Sequence, residues 1–360
     1  VTQRGQHAII FGERGVGKTS LANVLSEVLS EAGIESVMSC RINSDANDVF
    51  SSLWHKVFRE IPIVGTIPSL GFNKESVNRM TPLDGFFSEA IAPDDIRYVL
   101  SRFNQPTIII IDEIDRIKDE KATSLLADTI KTLSDHSVGT TLILVGVADN
   151  VGDLIAEHAS IERALVQIPM PRMSPEELFE ILDRARAIVE MTIEDGAKQR
   201  IAKLSRGLPH YTHLLGLYAA QAAIDKDRIN ITLDDLEKAV YVAVKKAQQS
   251  IRRTHHRATS SVRETLYPQV LLACSLAPTD DLGYFAAADV RGPMSRIMGR
   301  RYEIPAFSRH LNDFCEGQRG GILQKTGSAR RYRFRFINPL MQSYVILYGI
   351  SKGLIDEGLV

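Results

Sequence analysis

The sequence has little cysteine, no long apolar run and almost no net charge. Its three cysteines, Cys40, Cys274 and Cys315, are scattered among 360 residues without metal-ligand spacing, so we expect no cysteine metal centre and a reducing, cytoplasmic setting. No apolar run approaches the roughly 18–20 residues of a membrane-spanning helix, which argues against a membrane partner. Valine stands first and no signal-peptide pattern follows it, so we expect the natural N-terminus to lie upstream.

The net charge of −1 conceals an asymmetry along the chain. From residue 251 onward there are 16 lysines and arginines against 9 aspartates and glutamates, a charge of about +7, which leaves about −8 for the first 250 residues. A basic C-terminal part is typical of a domain that meets an anion, and nucleic acid is the anion that we expect. The length predicts two or three domains rather than one.

A nine-residue segment near the N-terminus matches the phosphate-binding pattern G-x-x-x-x-G-K-[ST]. Glycines in this pattern let successive backbone N–H groups point at phosphate oxygens, the lysine reaches the β- and γ-phosphates, and the hydroxyl after it ligates Mg²⁺. The helix that follows adds the positive end of its dipole. The predicted nucleotide-binding residues are Gly12, Glu13, Arg14, Gly15, Val16, Gly17, Lys18, Thr19 and Ser20.

The residues around this segment agree with a phosphate loop. Residues 7–11 form an apolar run of strand type, and Leu21, Leu25 and Val28 recur at helical spacing after the loop. This context predicts that the segment binds ATP, with Lys18 as a catalytic cation and Thr19 as a metal ligand. A glycine-rich turn without a ligand is the alternative.

A second motif, Thr107–Glu113, places two acidic residues after four consecutive isoleucines. The apolar run predicts a strand buried on both faces, and open α/β sheets bind ligands at the carboxyl ends of their strands. We expect Asp112 to help hold Mg²⁺ and Glu113 to polarise the water that attacks the γ-phosphate. The alternative is that the acidic pair only begins a loop. Asp115 is expected to be solvated or to cap a helix.

The order of elements predicts three domains. Five apolar runs separated by helical segments predict a parallel sheet with helices on both faces in residues 1–171. The pattern is purely helical in residues 172–250, and residues 251–360 contain three helices followed by a hairpin, the order of a winged helix. The five predicted strands are Ala8–Phe11, Ser36–Ile42, Thr107–Ile111, Thr141–Val147 and Leu165–Ile168.

Two segments stand apart from this order. Residues 61–93 contain proline and glycine without a clear period, and we interpret them as an insertion of unassigned function. The basic segment Arg252–Arg257 is expected to be a linker or a solvated surface. The helices predicted after it span Val262–Ser275 and Phe285–Met298, and a third begins at Pro305.

The predicted hairpin carries three arginines at alternate positions. Side chains of a strand alternate between its faces, so the arginines share one face and the aromatic residues between them pack on the other. The arginine face is predicted to neutralise phosphates of duplex DNA or to enter a minor groove. A winged helix that packs within the chain or contacts protein is the alternative. The predicted nucleic-acid residues are Arg309 and Asn312 on the candidate recognition helix and Arg331, Arg333 and Arg335 on the hairpin.

The sequence resembles an AAA+/STAND-type P-loop ATPase over nearly its whole length. The resemblance rests on the order of a Walker A motif, a Walker B motif ending in Asp112-Glu113, a sensor-1 strand, a helical lid and a winged helix. It is strongest toward the archaeal-type ATPase and origin-recognition initiator families. The resemblance implies ATP and Mg²⁺ as cofactors, ATP hydrolysis, and a homo-oligomer or an assembly with a partner protein.

The resemblance also implies roles for residues outside the two Walker motifs. The polar residue after the sensor-1 strand would be Asp149 or Asn150, unless the pair only caps the next helix. Arg163 stands where the family often has an arginine finger acting on a neighbour's ATP, or it is an ordinary surface arginine. At the lid, Gly-x-Pro replaces the usual sensor-2 arginine. Pro209 or His210 is therefore expected to touch the nucleotide, with Arg206 as a weaker candidate.

Three functions are compatible with these observations. The leading hypothesis is an ATP-driven switch or motor whose winged helix presents its output to DNA. The second is a STAND-type signalling or scaffolding module, in which the winged helix contacts protein. The third is a DNA-loaded ATPase similar to a transposition regulator. Salt-dependent affinity for DNA would favour the first or third over the second.

Overall fold

The computed structural model describes residues 4–31, 37–67, 77–87, 90–155, 161, 163–261, 265–328 and 331–355. The chain divides into two units, the first with residues 1–12 and 17–170 and the second with residues 13–16 and 171–360. The predicted boundary at 171–172 lies next to this division, whereas the one at 250–251 falls inside the second unit. None of the described helices is both long and apolar enough to cross a membrane.

The first unit is an α/β structure built on a five-stranded sheet. Every pairing in this sheet is parallel, which confirms the predicted fold class. The strands of the first unit are β1 (His7–Gly12), β2 (Met38–Asn43), β3 (Pro62–Ile67), β4 (Val77–Pro82), β5 (Thr107–Asp112), β6 (Thr140–Val147) and β7 (Leu165–Pro169). The five-stranded sheet has the order β2-β5-β6-β1-β7, and β3 and β4 form a separate pair. The helices of the first unit are α1 (Lys18–Glu31), α2 (Phe50–Glu60), α3 (Pro93–Leu100) and α4 (Glu120–Asp135).

Strand β5 is buried along its whole length, as its run of isoleucines predicts. Ile109 and Ile111 pack on one face of the sheet, in a cluster with residues of α2 and α4 such as Trp54 and Leu126. Ile108 and Ile110 pack on the other face against β1, β6 and α1. The acidic pair therefore follows a strand that is buried along its whole length.

The segment interpreted as an insertion forms a hairpin. Strands β3 and β4 pair antiparallel, from Pro62 opposite Pro82 to Ile67 opposite Val77, and a 3-10 helix follows at Leu83–Phe86. Residues 68–76 and 88–89 of this segment lie outside the described residues. The sequence did not predict these strands because Pro62 and Pro82 stand at the outer end of the pair, and proline inside an apolar run argues against a strand.

One titratable side chain lies in the core of the first unit. His7 begins β1, is only 1% exposed, and its Nδ1 accepts a hydrogen bond from the Leu142 amide at 3.0 Å. Burial lowers the pKa of His7 to about 4 from its ordinary value of 6.5. Between these two pH values the unfolded chain binds a proton that the folded unit does not.

We therefore expect the first unit to lose stability as the pH falls from 6.5 to about 4. The loss reaches at most about 3.5 kcal/mol, since the pKa difference is about 2.5 units and one unit corresponds to about 1.4 kcal/mol. Urea unfolding at a series of pH values measures it. His7→Asn keeps a hydrogen-bond acceptor but not the titrating ring and should remove this part of the pH dependence. An unchanged pH dependence in the variant would contradict the assignment.

The second unit is mainly helical, with two small sheets. Its helices are α5 (Pro175–Ile188), α6 (Asp195–Ser205), α7 (Pro209–Ile224), α8 (Leu233–Lys246), α9 (Gln249–Thr259), α10 (Tyr267–Leu276), α11 (Ala287–Met298), α12 (Ser308–Asp313) and α13 (Pro339–Ser351). Its strands are β8 (Thr192–Ile193), β9 (Asn230–Ile231), β10 (Phe285–Ala286), β11 (Leu323–Thr326) and β12 (Arg333–Phe336).

Residues 172–250 are not purely helical, contrary to the prediction. Strands β8 and β9 pair in parallel, with Thr192 opposite Asn230 and Ile193 opposite Ile231. Each strand has only two residues, too few to produce an alternating pattern that a sequence could reveal. The pair joins the segment before α6 to the segment before α8.

Arg252–Arg257 is not a linker, which was one of its two expected roles. Helix α9 runs through the segment and across the predicted boundary at 250–251. Ile251, His255 and Ala258 recur at helical spacing and are buried. The arginines lie on the exposed face of the helix. The segment is therefore an amphipathic helix with a basic outer face.

The C-terminal part contains the elements of a winged helix, an assignment that stays a prediction. An antiparallel sheet of order β10-β12-β11 stands beside helices α10 to α13. Helix α12 is short because a 3-10 helix, Ile304–Ala306, takes up the start of the predicted third helix. The helix predicted from Val262 begins at Tyr267, and residues 262–264 lie outside the described residues.

Candidate functional site

The glycine-rich loop lies between the end of β1 and the start of α1, as predicted. Gly12 has a φ of +149°, and a Cβ atom there would stand 2.3 Å from the carbonyl oxygen of Met170, so a side chain does not fit. Helix α1 begins at Lys18. Its free N–H groups and the positive end of its dipole are therefore directed at the loop.

Lys18 lies inside the first unit rather than on its surface. The residue is 7% exposed, and Nζ donates a hydrogen bond to the carbonyl oxygen of Gly12 at 3.0 Å. A buried ammonium at a helix N-terminus adds its positive charge to that of the helix dipole. Both lie beside the loop backbone, whose N–H groups can bind an anion. This arrangement suits a phosphate group.

The two motifs meet at one carboxylate. The hydroxyl of Thr19 donates to Oδ2 of Asp112 at 3.0 Å, although the two residues are 93 positions apart. The amide of Glu113 donates to Oδ1 of Asp112 at 2.8 Å and fixes the carboxylate in place. The Asp112 residue is only 3% exposed.

This pair of oxygen donors fits Mg²⁺. The ion prefers oxygen ligands and keeps several waters, so one or two protein groups beside a phosphate suffice to hold it. Among the described residues there is no group of three or more His, Cys, Asp and Glu side chains that would hold a metal ion by themselves. Thr19 and Asp112 are therefore the residues that would hold Mg²⁺ together with a nucleotide.

Sequence reasoning missed Arg41, which also contacts Asp112. Arg41 lies on β2, the neighbour of β5, and its NH2 is 2.7 Å from Oδ2 of Asp112. The side chain also donates to Asn23 and, at 3.5 Å, to Asn43. The alternation of β2 puts Arg41 on the face opposite to the buried Cys40, but the identity of the neighbouring strand cannot be read from the sequence.

Glu113 has a left-handed backbone conformation, with φ at +59°. Non-glycine residues adopt it at a cost of on the order of 1 kcal/mol and are concentrated at functional sites. Its Oε2 accepts a hydrogen bond from NH1 of Arg116 at 2.9 Å, and both side chains are about half exposed. A glutamate held in this way is accessible to water and within reach of the end of β5.

Asp115 is exposed to solvent, in agreement with the first of its two expected roles. Its Oδ1 accepts a hydrogen bond from the Val147 amide at 2.8 Å. This bond ties the turn after β5 to the end of β6, where the sensor-1 residue was predicted. Asn150 follows that strand and accepts a hydrogen bond from the Asp153 amide at 3.0 Å, which is the capping role of the alternative interpretation.

The remaining first-unit candidates are solvent-accessible. Asp149 is partly exposed, between the end of β6 and the 3-10 helix Val151–Asp153. Arg163 is exposed in the turn before β7. Their predicted roles stay predictions.

Within the second unit, Glu13 is the centre of a buried polar cluster. Its carboxylate accepts two hydrogen bonds from Arg172, at 2.6 Å and 2.9 Å, and both side chains are largely buried. Arg172 also donates to Oε1 of Gln342, on α13, at 2.7 Å. Bidentate arginine–carboxylate pairs are strong and geometrically specific. The second residue of the glycine-rich loop is thus coupled to the C-terminal helix.

Arg206 is directed into the second unit. It has a φ of +53°, and NH2 donates to the carbonyl oxygen of Ala277 at 2.8 Å. Burial and the nearby Arg172 lower the pKa of Arg206 to about 10. The following Gly207 has no room for a side chain, since a Cβ would meet the Cβ of Arg172 at 2.7 Å.

Pro209 and His210 begin α7, with proline at the first helical position. Burial and the neighbouring His213 lower the pKa of His210 below its ordinary value. His210 is therefore neutral at neutral pH. A neutral imidazole at a helix N-terminus can donate a hydrogen bond to a phosphate but brings no charge.

The predicted basic face of the second unit is partly engaged. Arg333 pairs with Asp280 at 2.6 Å, and Arg335 donates to Gln324 at 3.1 Å. Arg331 is exposed. On α12, Asn312 accepts a hydrogen bond from Lys325 at 2.9 Å, and Arg309 is 89% exposed.

Residues 1–153 match the sequence model of a family described as an AAA domain. The matched stretch contains the glycine-rich loop and the acidic pair that the structure brings together. The five-stranded parallel sheet matches the fold of AAA+ P-loop ATPases, and the family match over residues 1–153 agrees with the resemblance found in the sequence.

Alignments with solved structures cover almost the whole chain. The Aeropyrum pernix ORC2 protein, in ADPNP–ADP complexes, is 15% identical over 97% of this chain and 88% of its own, with a TM-score of 0.50. Cdc6p from Pyrobaculum aerophilum is 16% identical over 98% and 90%, with a TM-score of 0.46. The Thermotoga maritima RuvB Holliday junction branch migration motor is 17% identical over 92% and 85%, with a TM-score of 0.44. At such identities the likeness concerns the fold alone.

Proposed function

We propose that this protein binds ATP with Mg²⁺ at the glycine-rich loop and hydrolyses it, and that it acts as a switch or motor. The observation that carries the proposal is the 3.0 Å hydrogen bond between Thr19 and Asp112, which joins the two motifs at one point. The solved ORC2 structure of similar fold holds ADPNP and ADP, which agrees with a nucleotide ligand. Release of inorganic phosphate from Mg·ATP tests the proposal.

Each residue of the site has a definite task in this reaction. The loop amides and Lys18 bind the β- and γ-phosphates and neutralise charge that develops during transfer. Thr19 and Asp112 would hold Mg²⁺, which would further stabilise the phosphate charge. Glu113 orients and polarises the attacking water and takes its proton. Arg116 donates to Oε2 alone, so the other carboxylate oxygen can accept a hydrogen bond from the water.

Glu13 is the loop residue that we propose to respond to the nucleotide. Its bidentate bond to Arg172, which also donates to Gln342 on α13, would relay that response within the second unit. Pro209 or His210 is proposed to sense the nucleotide from the start of α7. Arg206 is the weaker candidate, because its guanidinium is already bonded to a backbone carbonyl.

An assembly of several copies is the proposed working state. Arg163 is exposed, as a finger directed at a neighbour's ATP has to be. Asp149 is proposed as the sensor-1 residue rather than Asn150, whose side chain is used as a cap. A homo-oligomer or an assembly with a partner protein would accommodate both roles.

We further propose that the C-terminal elements bind duplex DNA. The support is the net positive charge after residue 250 and the row of arginines on β12 and just before it. Contacts with phosphates release counterions, so the affinity should fall steeply with salt. Arg309 and Asn312, on α12, would instead alter sequence preference.

Replacing Arg331, Arg333 and Arg335 by alanine is expected to weaken DNA binding across all sequences. The slope of log affinity against log salt should fall by about 1 for each arginine that contacts one phosphate. Labelled duplexes titrated at several salt concentrations, with and without ATP, measure this. The matched control removes three exposed arginines that pair with glutamates elsewhere in the second unit: Arg184, Arg291 and Arg301.

The same titration decides between the candidate functions. If the wild-type protein shows no salt-sensitive binding in either nucleotide state, the C-terminal elements contact protein and the signalling or scaffolding function becomes the leading one. If the control variant loses as much affinity as the hairpin variant, the hairpin is not the DNA-binding surface. Binding that only ATP permits would favour a DNA-loaded ATPase similar to a transposition regulator.

A further inference from the structure

Arg41 occupies an unusual position in the first unit. Its NH2 and the hydroxyl of Thr19 both donate to the same oxygen, Oδ2 of Asp112, at 2.7 Å and 3.0 Å. This oxygen belongs to the two-residue set that would hold Mg²⁺. A guanidinium and a metal ion are both cations, and both are attracted to the carboxylate oxygen that faces the Thr19 hydroxyl.

The Arg41 side chain is held where it is by several partners. Asn23 on α1 accepts a hydrogen bond from NH1, and Asn43 at the end of β2 accepts a weaker one from NH2. Asp112 is almost fully buried, whereas the Arg41 side chain is about one-third exposed. A buried carboxylate without a counter-charge is costly, so Arg41 provides the compensation that the folded unit needs in the absence of a metal ion.

We propose that Arg41 takes the place of the metal ion at Asp112 and competes with Mg²⁺ for it. Arg41 is then a positioning residue, because it acts through Asp112 and raises the Mg²⁺ concentration that nucleotide binding requires. The inference rests on the proposed binding of Mg·nucleotide. It adds that Mg²⁺ binds at Asp112 by displacing the Arg41 guanidinium, and not by entering a site that is already free.

The surroundings of Arg41 provide room for this exchange. A cavity of about 360 Å³ lies beside the side chain, lined by Arg41, Ile42, Asn43, Lys56, Arg59 and Glu60. Its cations Lys56 and Arg59 are already paired with Asp48 and Asp84. The carboxylate of Glu60 gives the displaced guanidinium a partner in the same cavity.

The test measures ADP affinity by calorimetry across a series of Mg²⁺ concentrations, with EDTA as the metal-free limit. Arg41→Gln is expected to lower the half-saturating Mg²⁺ concentration about tenfold, since it removes a competing charge. Arg59→Gln is the matched control, because it removes an arginine from the same cavity that pairs with Asp84 at 3.6 Å rather than with Asp112. It should leave the Mg²⁺ dependence unchanged.

Thermal unfolding adds a readout that does not depend on nucleotide. In EDTA, Arg41→Gln should unfold at a lower temperature than the wild type, and Mg·ADP should raise its melting temperature by more than it raises that of the wild type. If Arg41→Gln does not fold, Asn23→Ala is the second variant. Asn23 is exposed, and its replacement removes one of the hydrogen bonds that hold Arg41. This variant should also lower the half-saturating Mg²⁺ concentration.

The outcomes separate this inference from the function on which it rests. In one outcome the wild type binds ADP in a Mg²⁺-dependent way while Arg41→Gln or Asn23→Ala needs as much Mg²⁺ as the wild type or more. That result overturns the inference but not the proposed function. A shift of equal size in Arg59→Gln also overturns it, because bulk charge would then explain the effect. Absence of ADP binding by the wild type at every Mg²⁺ concentration overturns the proposed function and the inference with it.

Discussion

Lys18→Ala is expected to abolish ATP binding or to weaken it at least about 100-fold. The variant loses the ammonium that neutralises the phosphates, and a charge-assisted contact in a buried site contributes on the order of 3 kcal/mol. Calorimetric titration with ATP in the presence of Mg²⁺ measures the loss. The matched control is Lys131→Ala, which removes an exposed lysine from α4 and should bind ATP as the wild type does.

The Lys18 variant needs a check of its fold, because Nζ also satisfies the carbonyl oxygen of Gly12. Far-ultraviolet circular dichroism and urea unfolding show whether the first unit stays intact. An intact variant with wild-type affinity for ATP would mean that the glycine-rich loop is not where the phosphates bind. Lys18→Arg keeps the charge but not the compact shape and should recover only part of the affinity.

Glu113→Gln is expected to retain ATP binding and to lose most of the hydrolysis. The amide is nearly isosteric with the carboxylate but cannot take a proton from the attacking water, and general-base catalysis contributes about 100-fold or more. Steady-state phosphate release and calorimetry on the same preparation measure the two properties separately. Glu120→Gln, an exposed glutamate at the start of α4, is the matched control and should keep its activity.

Turnover by Glu113→Gln at the wild-type rate would require another base. If the wild type and the variant both bind ATP and neither hydrolyses it, the nucleotide is a static switch, and the signalling or scaffolding function gains support.

The loop and the acidic strand were predictable because local rules act on them. A phosphate loop needs glycine where a side chain would collide with the backbone, and Gly12 meets that need against Met170. The strand before the acidic pair needs apolar residues on both faces, and the isoleucines of β5 supply them. Such requirements leave a pattern within about ten residues of sequence.

The contacts that complete the site depend on tertiary structure and left no local pattern. Arg41 reaches Asp112 only because β2 lies beside β5, an order that the sequence does not state. The pairing of Glu13 with Arg172 joins residues 159 positions apart. Both arginines are ordinary charged residues in sequence, and pairing with a buried carboxylate is what distinguishes them.

Helix α9 shows a different reason for failure. Its arginines and histidines give it the composition of a linker, and the three buried positions, Ile251, His255 and Ala258, include a histidine that sequence reasoning treated as polar. The histidine ring packs against Tyr344 and Tyr348 on α13. Burial lowers the pKa of His255 to about 4, so it is a neutral aromatic side chain at neutral pH. A histidine counted as apolar would have completed the helical pattern.

The most direct test of the central claim is the release of inorganic phosphate from Mg·ATP by the intact chain, with Lys18→Ala purified in parallel as the blank. The proposed function predicts continuous release that depends on Mg²⁺ and falls to the blank level in the Lys18 variant. Release by the wild type that does not exceed that of Lys18→Ala at any Mg²⁺ concentration would contradict the assignment of an ATP-hydrolysing site to Lys18, Thr19, Asp112 and Glu113.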